Sequence, residues 1–178
     1  MGDERLTTET EGLAGVVASS LRSATGASDA IVRTVEAIKA SNPLFHWAGV
    51  YLLDGAMLSL AHEIGHPTPH RHIPLDKGIC GAAAREGVTI VVDDVHADPR
   101  YLACTLRTRS EIVVPLRASG RILGEIDIDS DEPAVFTKED RAELESVAEI
   151  LSAWIARASW TQPGAATARP GAAAGEGR

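Results

Sequence analysis

The sequence lacks the features that mark membrane, secreted and nucleic-acid-binding proteins. No apolar run approaches the roughly 20 residues of a membrane span, and the first twelve residues are acidic, without the apolar segment of a signal peptide. Basic residues are outnumbered, 17 against 25 acidic ones, and the net charge of -8 repels phosphate backbones and anionic membranes. We therefore expect a soluble cytoplasmic protein that has neither nucleic acid nor a membrane as its partner.

Cysteine is scarce as well, since Cys80 and Cys104 are the only two in the chain. A reducing cytoplasm keeps thiols free, so a bridge between them would be transient, and catalytic or sensory rather than structural. Cys80 follows Gly78 at a predicted helix start, where exposed N–H groups lower the pKa of a thiol and favour the thiolate. The alternative for each cysteine is a small buried side chain that only packs, because free cysteine is among the most often buried residue types.

The chain has the length of one domain, which we predict to span residues 13–160. Residues 1–12 are polar and are predicted to be flexible. Residues 161–178 are rich in Ala, Gly and Pro, a composition that cannot bury enough apolar surface to become ordered. We predict a disordered tail there.

The pattern of apolar residues predicts an α+β fold. Helical spacing indicates two helices before Pro43 and a last helix that Thr137 caps. Apolar and β-branched runs flank turns at residues 54–55 and 118–120, which predicts two β-hairpins, and another strand is predicted at 88–92. We expect an antiparallel sheet of five or six strands with the N- and C-terminal helices packed on one face, leaving the other face for a pocket. The apolar faces of the same helices could instead pack across a two-fold axis, which predicts a possible homodimer.

Three carboxylates alternate with isoleucines in the strand that contains GEIDIDS. Glu125, Asp127 and Asp129 therefore project from one face of the sheet. One interpretation is a solvated face, on which water screens the repulsion between like charges. The other is an anionic pocket, in which an ammonium group or a metal ion relieves that repulsion.

A segment at residues 62–66 matches the H-E-x-x-H pattern of zinc proteases. That pattern works only on a helix, which places both imidazoles on one face. Here the segment follows a predicted strand, contains Gly65 and runs into Pro67, so a helix is disfavoured. We interpret the match as chance and predict no metal site. A zinc hydrolase is therefore the weakest of the three functions that the sequence suggests.

Trp47 and Tyr51 are four residues apart in a predicted strand and so share a face with Gly49 between them. An aromatic pair across a glycine can form a shallow apolar recess. The alternative is core packing, which is the commoner role of buried aromatic side chains.

The chain resembles the GAF domain family, and within it the free methionine-(R)-sulfoxide reductases, over about residues 13–158. The resemblance lies in WAGVYLL, GICGAA, DDVHADPRYLACTLRTRSEIVVPL, and ILGEIDIDS followed by FTKEDR. It implies a GAF-like fold and thiol-dependent reduction of free L-methionine-(R)-sulfoxide without a bound cofactor. A cysteine attacks the sulfoxide sulfur, methionine leaves, and the resulting sulfenic acid is resolved as a disulfide that thioredoxin reduces.

The same resemblance implies roles for individual residues. Cys104 would be the nucleophile and Cys80 its partner, while Glu111 would hydrogen-bond or protonate the departing oxygen. The substrate's ammonium would bind the two aspartates of the alternating strand, and the aromatic pair would form a recess for its methyl group; these residues are Asp127, Asp129, Trp47 and Tyr51.

One position departs from the family pattern. The family's third cysteine would fall in HPTPHRHIP, where this chain has His70. The catalytic cycle must then close through Cys80 or through an external thiol. The loss also motivates an alternative function, a non-catalytic GAF sensor that binds a small ligand or reports oxidants through Cys80 and Cys104.

Overall fold

The computed structural model of the protein describes residues 11–103, 105 and 107–157. The predicted nucleophile Cys104 lies outside the described residues, as do residues 1–10 of the predicted flexible N-terminus and the whole predicted tail at 161–178. The domain bounds therefore remain predictions.

Helices enclose the sheet at both ends of the described chain. The elements are α1 (Leu13–Leu21), α2 (Ala27–Ser41), β1 (Trp47–Asp54), β2 (Met57–Ile64), β3 (His72–Pro74), α3 (Gly78–Glu86), β4 (Ile90–Val92), β5 (Ser110–Ala118), β6 (Arg121–Ser130) and α4 (Lys138–Arg157), with a 3-10 turn at Val95–Ala97. None of the helices within the described ranges is long and apolar enough to cross a membrane.

The strands form one sheet in the order β3-β2-β1-β6-β5-β4, and every neighbouring pair is antiparallel. This confirms the predicted antiparallel sheet, with six strands. The two predicted hairpins join β1 to β2 and β5 to β6. In the second turn Ser119 and Gly120 both have positive φ, 50° and 75°, as a two-residue turn matched to the strand twist requires.

Helices α1, α2 and α4 pack on one face of the sheet, as predicted. Their apolar stripes meet the helix-facing side chains of β1, β5 and β6 in one core, which includes Val17, Ile31, Val35, Val50, Ile112, Ile126, Ile128, Leu144, Val147 and Leu151. The α4 stripe thus covers the sheet of its own chain, so the homodimer stays a prediction without support from that stripe. Thr137 caps α4 as predicted: its Oγ1 accepts from the Asp140 N–H at 3.0 Å, and Asp140 Oδ2 accepts from the Thr137 N–H at 2.9 Å.

The opposite face of the sheet is not left open. Helix α3 packs there with the short strands at the sheet edges, in a second core that includes Leu58, Ile73, Ile79, Ala83, Val92 and Val113. Gly81 permits the close approach, because a Cβ at this position would lie 2.5 Å from the carbonyl oxygen of Leu75. Helix α3 therefore covers the face of the sheet on which we predicted a pocket.

Candidate functional site

The three alternating carboxylates of β6 lie on the face that α3 covers, and they are buried. Glu125, Asp127 and Asp129 are 0%, 2% and 4% exposed. Ile126 and Ile128 point to the opposite, helix-packed core. The prediction of a shared face is confirmed, and the interpretation as a solvated face is wrong, because helix α3 and its flanking strands exclude water from this side.

Strand register adds a fourth carboxylate. Glu111 of β5 is paired with Asp129, and Trp47 of β1 is paired with Asp129 from the other side. Directly paired residues of an antiparallel sheet share a face, so Glu111 and Trp47 belong to the carboxylate face. Tyr51 joins them because it is paired with Glu125. All the predicted site residues that the structure describes in strands thus converge on one face.

Cys80 completes the cluster from above. Its Sγ lies 3.3 Å from Asp127 Oδ2 and 3.9 Å from Glu111 Oε1, and the side chain is buried. Burial raises the pKa of the Cys80 thiol well above its ordinary value, and the negative charges of Asp127, Glu125 and Glu111 raise it further. The thiol is therefore protonated and donates to Asp127.

The pKa of Cys80 is thus shifted in the opposite direction to the one that a helix start favours. The residue does lie in the first turn of α3 (Gly78–Glu86), where the helix dipole favours a thiolate. Desolvation and the neighbouring carboxylates outweigh the dipole, because they act on a thiol from which water is excluded. Of the two interpretations of Cys80, the buried side chain agrees with this structure better than the thiolate.

The carboxylates also hold protons more tightly than usual. Burial, followed by the charges of the neighbouring acids, raises the pKa of Glu111, Glu125 and Asp129 well above the ordinary values. Burial raises the pKa of Asp127 to about 7, opposed by the hydrogen bond from Cys80. Four acidic groups in one dry cluster cannot all be ionised together without a compensating positive charge.

Several oxygens of this cluster have no partner among the described residues. Both side-chain oxygens of Glu125 and Oδ1 of Asp127 are buried without a hydrogen bond of acceptable geometry. Asp129 accepts only a long one, 3.5 Å, from Thr108 Oγ1. Buried polar groups are almost always satisfied. These oxygens are therefore suited to a positively charged or hydrogen-donating ligand. Glu125 was absent from the predicted site residues, although its alternation with the two aspartates was visible in the sequence.

The aromatic pair lies at the edge of the same cluster. The ring centroids of Trp47 and Tyr51 are 6.4 Å apart with an interplanar angle of 38°, and both side chains are buried. The indole lies over Gly49, where an added Cβ would come 2.8 Å from Cζ2 of the ring. The two rings pack in the core and also border the carboxylate cluster. Core packing and an apolar recess are therefore compatible interpretations.

Sequence reasoning missed the role of Glu63, which it treated only as part of a chance zinc motif. Glu63 lies in β2 (Met57–Ile64), so the segment is a strand and not the helix that the zinc pattern needs. Its Oε2 accepts from Trp47 Nε1 at 3.1 Å and from the Thr68 N–H at 3.0 Å. Glu63 therefore fixes the indole and the loop that follows β2.

His70 connects that loop to the segment that contains the second cysteine. Its Nε2 lies 3.0 Å from the carbonyl oxygen of Ala103, the residue before Cys104, and its own carbonyl accepts from Tyr51 Oη at 2.8 Å. The imidazole thus links the two loops, at the position where the resemblance to the reductases predicts a cysteine.

The space next to Cys80 is small. A cavity of about 10 Å³ is lined by Ile73, Gly78, Ile79, Cys80, Leu102 and Glu111. This volume holds about one water molecule or ion. A much larger cavity of about 450 Å³ lies between α1, α2 and α4, on the other side of the sheet, and none of the predicted site residues lines it. Of these two cavities, the small one is lined by predicted site residues, Cys80 and Glu111.

Comparison with known proteins agrees with this architecture. Residues 9–155 match the GAF domain family. The chain belongs to the GAF domain family. A relative from Escherichia coli (strain K12), named free methionine-R-sulfoxide reductase, is 38% identical over 99 residues, which are 56% of this chain and 59% of that protein.

Two solved structures of GAF proteins illustrate the range of functions among similar chains. The free methionine-R-sulfoxide reductase from Neisseria meningitidis, solved with its substrate, has a TM-score of 0.77 and 34% identity, covering 83% of this chain and 90% of that one. A putative GAF sensor protein from Burkholderia vietnamiensis has a TM-score of 0.75 and 36% identity, covering 80% and 90%. Both proteins are similar in fold to this chain over most of its length.

Proposed function

We propose that this GAF protein reduces free L-methionine-(R)-sulfoxide to methionine with a thioredoxin-type reductant and without a bound cofactor. One observation carries the proposal: a protonated thiol, Cys80, contacts a buried cluster of four carboxylates whose oxygens are partly unpartnered. Such a cluster needs a cationic group to fill it. A free amino acid supplies an ammonium group, whereas a methionine sulfoxide within a protein chain does not. The similarity to the reductases from E. coli and N. meningitidis supports the sulfoxide as substrate.

Asp127 and Asp129 would hold the ammonium group of the substrate. Both are buried, and both have spare oxygen lone pairs, since Asp127 Oδ1 is unpartnered and Asp129 has only the long contact with Thr108. Binding would relieve their mutual repulsion, so recognition of the cation and stabilisation of the site are the same event. Trp47 and Tyr51 would form the recess for the methyl group, supported by the position of the indole over Gly49.

The reaction would start with attack of the Cys104 thiol on the sulfoxide sulfur. Glu111, whose raised pKa keeps it protonated, would give a proton to the sulfoxide oxygen as the cysteine–sulfur bond forms. The S–O bond of this intermediate then breaks as its hydroxyl passes to the cysteine sulfur, and methionine leaves with the electron pair of the cysteine–sulfur bond. Cys104 becomes a sulfenic acid, and the proton that its thiol gave up restores Glu111. The raised pKa of the Cys80 thiol supports the other cysteine as the first nucleophile.

A second thiol would then displace water from the sulfenic acid and form a disulfide. With His70 at the place of the family's third cysteine, we propose Cys80 as that thiol, the alternative being direct attack by an external thiol. The two thiols, on becoming a disulfide, supply the two electrons that reduce the sulfoxide. The dithiol of a thioredoxin returns them, so that the overall change is one sulfoxide and two thiols to one sulfide, one disulfide and water.

The test is methionine release from the separate R and S epimers of free methionine sulfoxide, with thioredoxin, thioredoxin reductase and NADPH. We expect turnover of the R epimer alone, abolished in Cys104→Ser and slowed in Cys80→Ser when thioredoxin is the reductant. A protein that is folded and reduced but releases methionine from neither epimer overturns the proposal. Normal turnover in Cys104→Ser would move the nucleophile role to Cys80.

The second candidate is the GAF sensor. It is favoured by the histidine at the place of the third cysteine and by the similarity to the B. vietnamiensis protein. In a sensor, oxidants would form a reversible bridge between Cys80 and Cys104, or a small cation would bind without conversion. An oxidation-dependent change in shape, measured by limited proteolysis, without methionine production would select this function.

A further inference from the structure

We propose that Cys80, Glu111 and Asp127 form a site for a thiophilic divalent cation, with Zn²⁺ as its best ligand when no substrate is bound. The thiol sulfur and one oxygen from each carboxylate lie within 4.8 Å of one another, and all three residues are buried. This departs from the expectation that the protein has no metal site, and it uses none of the histidines of the H-E-x-x-H match.

The spacing of the donor atoms fits a four-coordinate ion. Zinc bonds of about 2.3 Å to sulfur and 2.0 Å to oxygen, at tetrahedral angles, separate the two donors by about 3.5 Å. Cys80 Sγ lies 3.3 Å from Asp127 Oδ2 and 3.9 Å from Glu111 Oε1. Small side-chain adjustments would therefore complete the coordination without backbone movement.

Unpartnered oxygens independently point to a cation at this place. Glu125 is fully buried, its two oxygens accept no hydrogen bond of good geometry from the described residues, and its pKa is affected by the thiol of Cys80, which places it beside the cluster. The charged groups buried in the described part of the chain are all acidic: Glu111, Glu125, Asp127 and Asp129. No buried lysine or arginine in that part of the chain balances them, so a bound cation would supply the missing charge.

The type of donors selects the ion. A sulfur donor disfavours Mg²⁺ and Ca²⁺, which prefer oxygen, and favours Zn²⁺, which accepts both thiolate and carboxylate. Three protein ligands leave a fourth position for water or for Glu125.

A bound zinc ion would exclude the amino-acid substrate, because the ion would coordinate Asp127, the proposed partner of the substrate's ammonium group. It would also occupy Cys80, the proposed resolving thiol. Inhibition by zinc rests on the proposed function, whereas zinc binding does not. The two can therefore fail separately: a protein that binds the ion but releases no methionine contradicts the reductase, and an active reductase that binds no ion contradicts the metal site.

The experiment is titration of the reduced full chain with Co²⁺, a spectroscopic substitute for Zn²⁺, with a reductant that carries no thiol. We expect one equivalent of Co²⁺ to give the near-ultraviolet band of a thiolate–cobalt bond, and one equivalent of Zn²⁺ to remove it. Cys80→Ser should lose the band, and Glu111→Gln should weaken binding by at least about 100-fold. Circular dichroism of each variant checks that it is folded, and Glu111→Gln keeps the test valid if Cys80→Ser does not fold.

Two controls separate this site from other ligands. Cys104→Ser should keep the band, and so should a variant with His62, His66 and His72 replaced by Gln. Loss of the band in Cys104→Ser, persistence in Cys80→Ser, or cobalt binding without a thiolate band would each overturn the proposal.

Discussion

Cys80 Sγ donates to Asp127 Oδ2 across 3.3 Å, and this contact joins the helix that covers the sheet to the strand that carries the acids. The thiol is too deeply buried to ionise readily, and the carboxylate has its pKa raised to about 7 by burial. Each group therefore depends on the other for its protonation state. A ligand that brings positive charge to Asp127 would favour its ionised form and leave Cys80 as the proton donor.

The raised pKa values predict that the protein loses stability as the pH rises. Asp127 has a pKa of about 7 when folded, against 3.8 as its ordinary value, so its contribution to stability is complete below about pH 4 and is lost as the pH rises through 7. Glu111, Glu125 and Asp129 shift in the same direction. We expect the free energy of unfolding, measured with urea and without substrate, to fall between about pH 4 and pH 7.

Asp127→Asn is the matched variant for this pH dependence. It keeps the shape of the side chain but removes one titrating group and one source of repulsion. The fall in stability from pH 4 to pH 7 should be shallower than in the unmodified protein, by up to about 1.4 kcal/mol per pH unit at about pH 5 to 6, between the unfolded and folded pKa values of Asp127. Equal slopes in the two proteins would show that Asp127 does not titrate in this range.

Replacement of Glu111 with Gln should separate chemistry from binding. The amide keeps the size of the side chain and its position opposite Asp129, but it cannot protonate the sulfoxide oxygen. We expect kcat to fall by about 10² to 10⁴, the usual range for loss of a general acid, and KM for the R epimer to change little. Single-turnover release of methionine measures the chemical step; an unchanged rate there would remove Glu111 from the role of acid.

The sequence predicted the chemistry of the carboxylate face better than its environment. Alternation in β6 places Glu125, Asp127 and Asp129 on one side of the sheet by strand geometry alone. Whether water covers that side depends on α3, which lies close to Leu75 through Gly81, a contact that periodicity cannot predict.

Two other features of the site also depend on contacts between distant parts of the chain, which the sequence pattern does not predict. The helix start at Cys80 was visible in the sequence and suggested a lowered pKa, yet the sign depends on burial, which is a property of the folded chain. Glu111 could be assigned only through the family resemblance, because its place beside Asp129 follows from the register of β5 with β6. Register depends on which strands pair, and that information is not local.

Gly49→Ala should distort the proposed methyl recess. A Cβ at this position would lie 2.8 Å from Cζ2 of Trp47, so the indole must move, although Nε1 is bonded to Glu63. We expect a several-fold higher KM for methionine-(R)-sulfoxide and a shifted tryptophan emission. The control is Gly26→Ala, where an added Cβ meets no atom within 4 Å; if both variants raise KM equally, the recess is not at Trp47.

The position of His70 gives the sharpest test of how the catalytic cycle closes. Its imidazole lies 3.0 Å from the carbonyl oxygen of Ala103, next in sequence to Cys104, at the place where the family has a third cysteine. If Cys80 is the resolving thiol of this chain, Cys80→Ser should lose most thioredoxin-dependent turnover while still releasing about one methionine per protein in a single turnover.

Adding His70→Cys to Cys80→Ser should then restore thioredoxin-dependent turnover by at least about tenfold, since a thiol returns within reach of the sulfenic acid. The control is His70→Ser with Cys80→Ser, which removes the imidazole without adding sulfur and should stay slow. Recovery in both double variants would mean that the histidine only hinders an external thiol, and that Cys80 acts in substrate binding instead. Recovery with cysteine alone would mean that a resolving thiol can work from either loop.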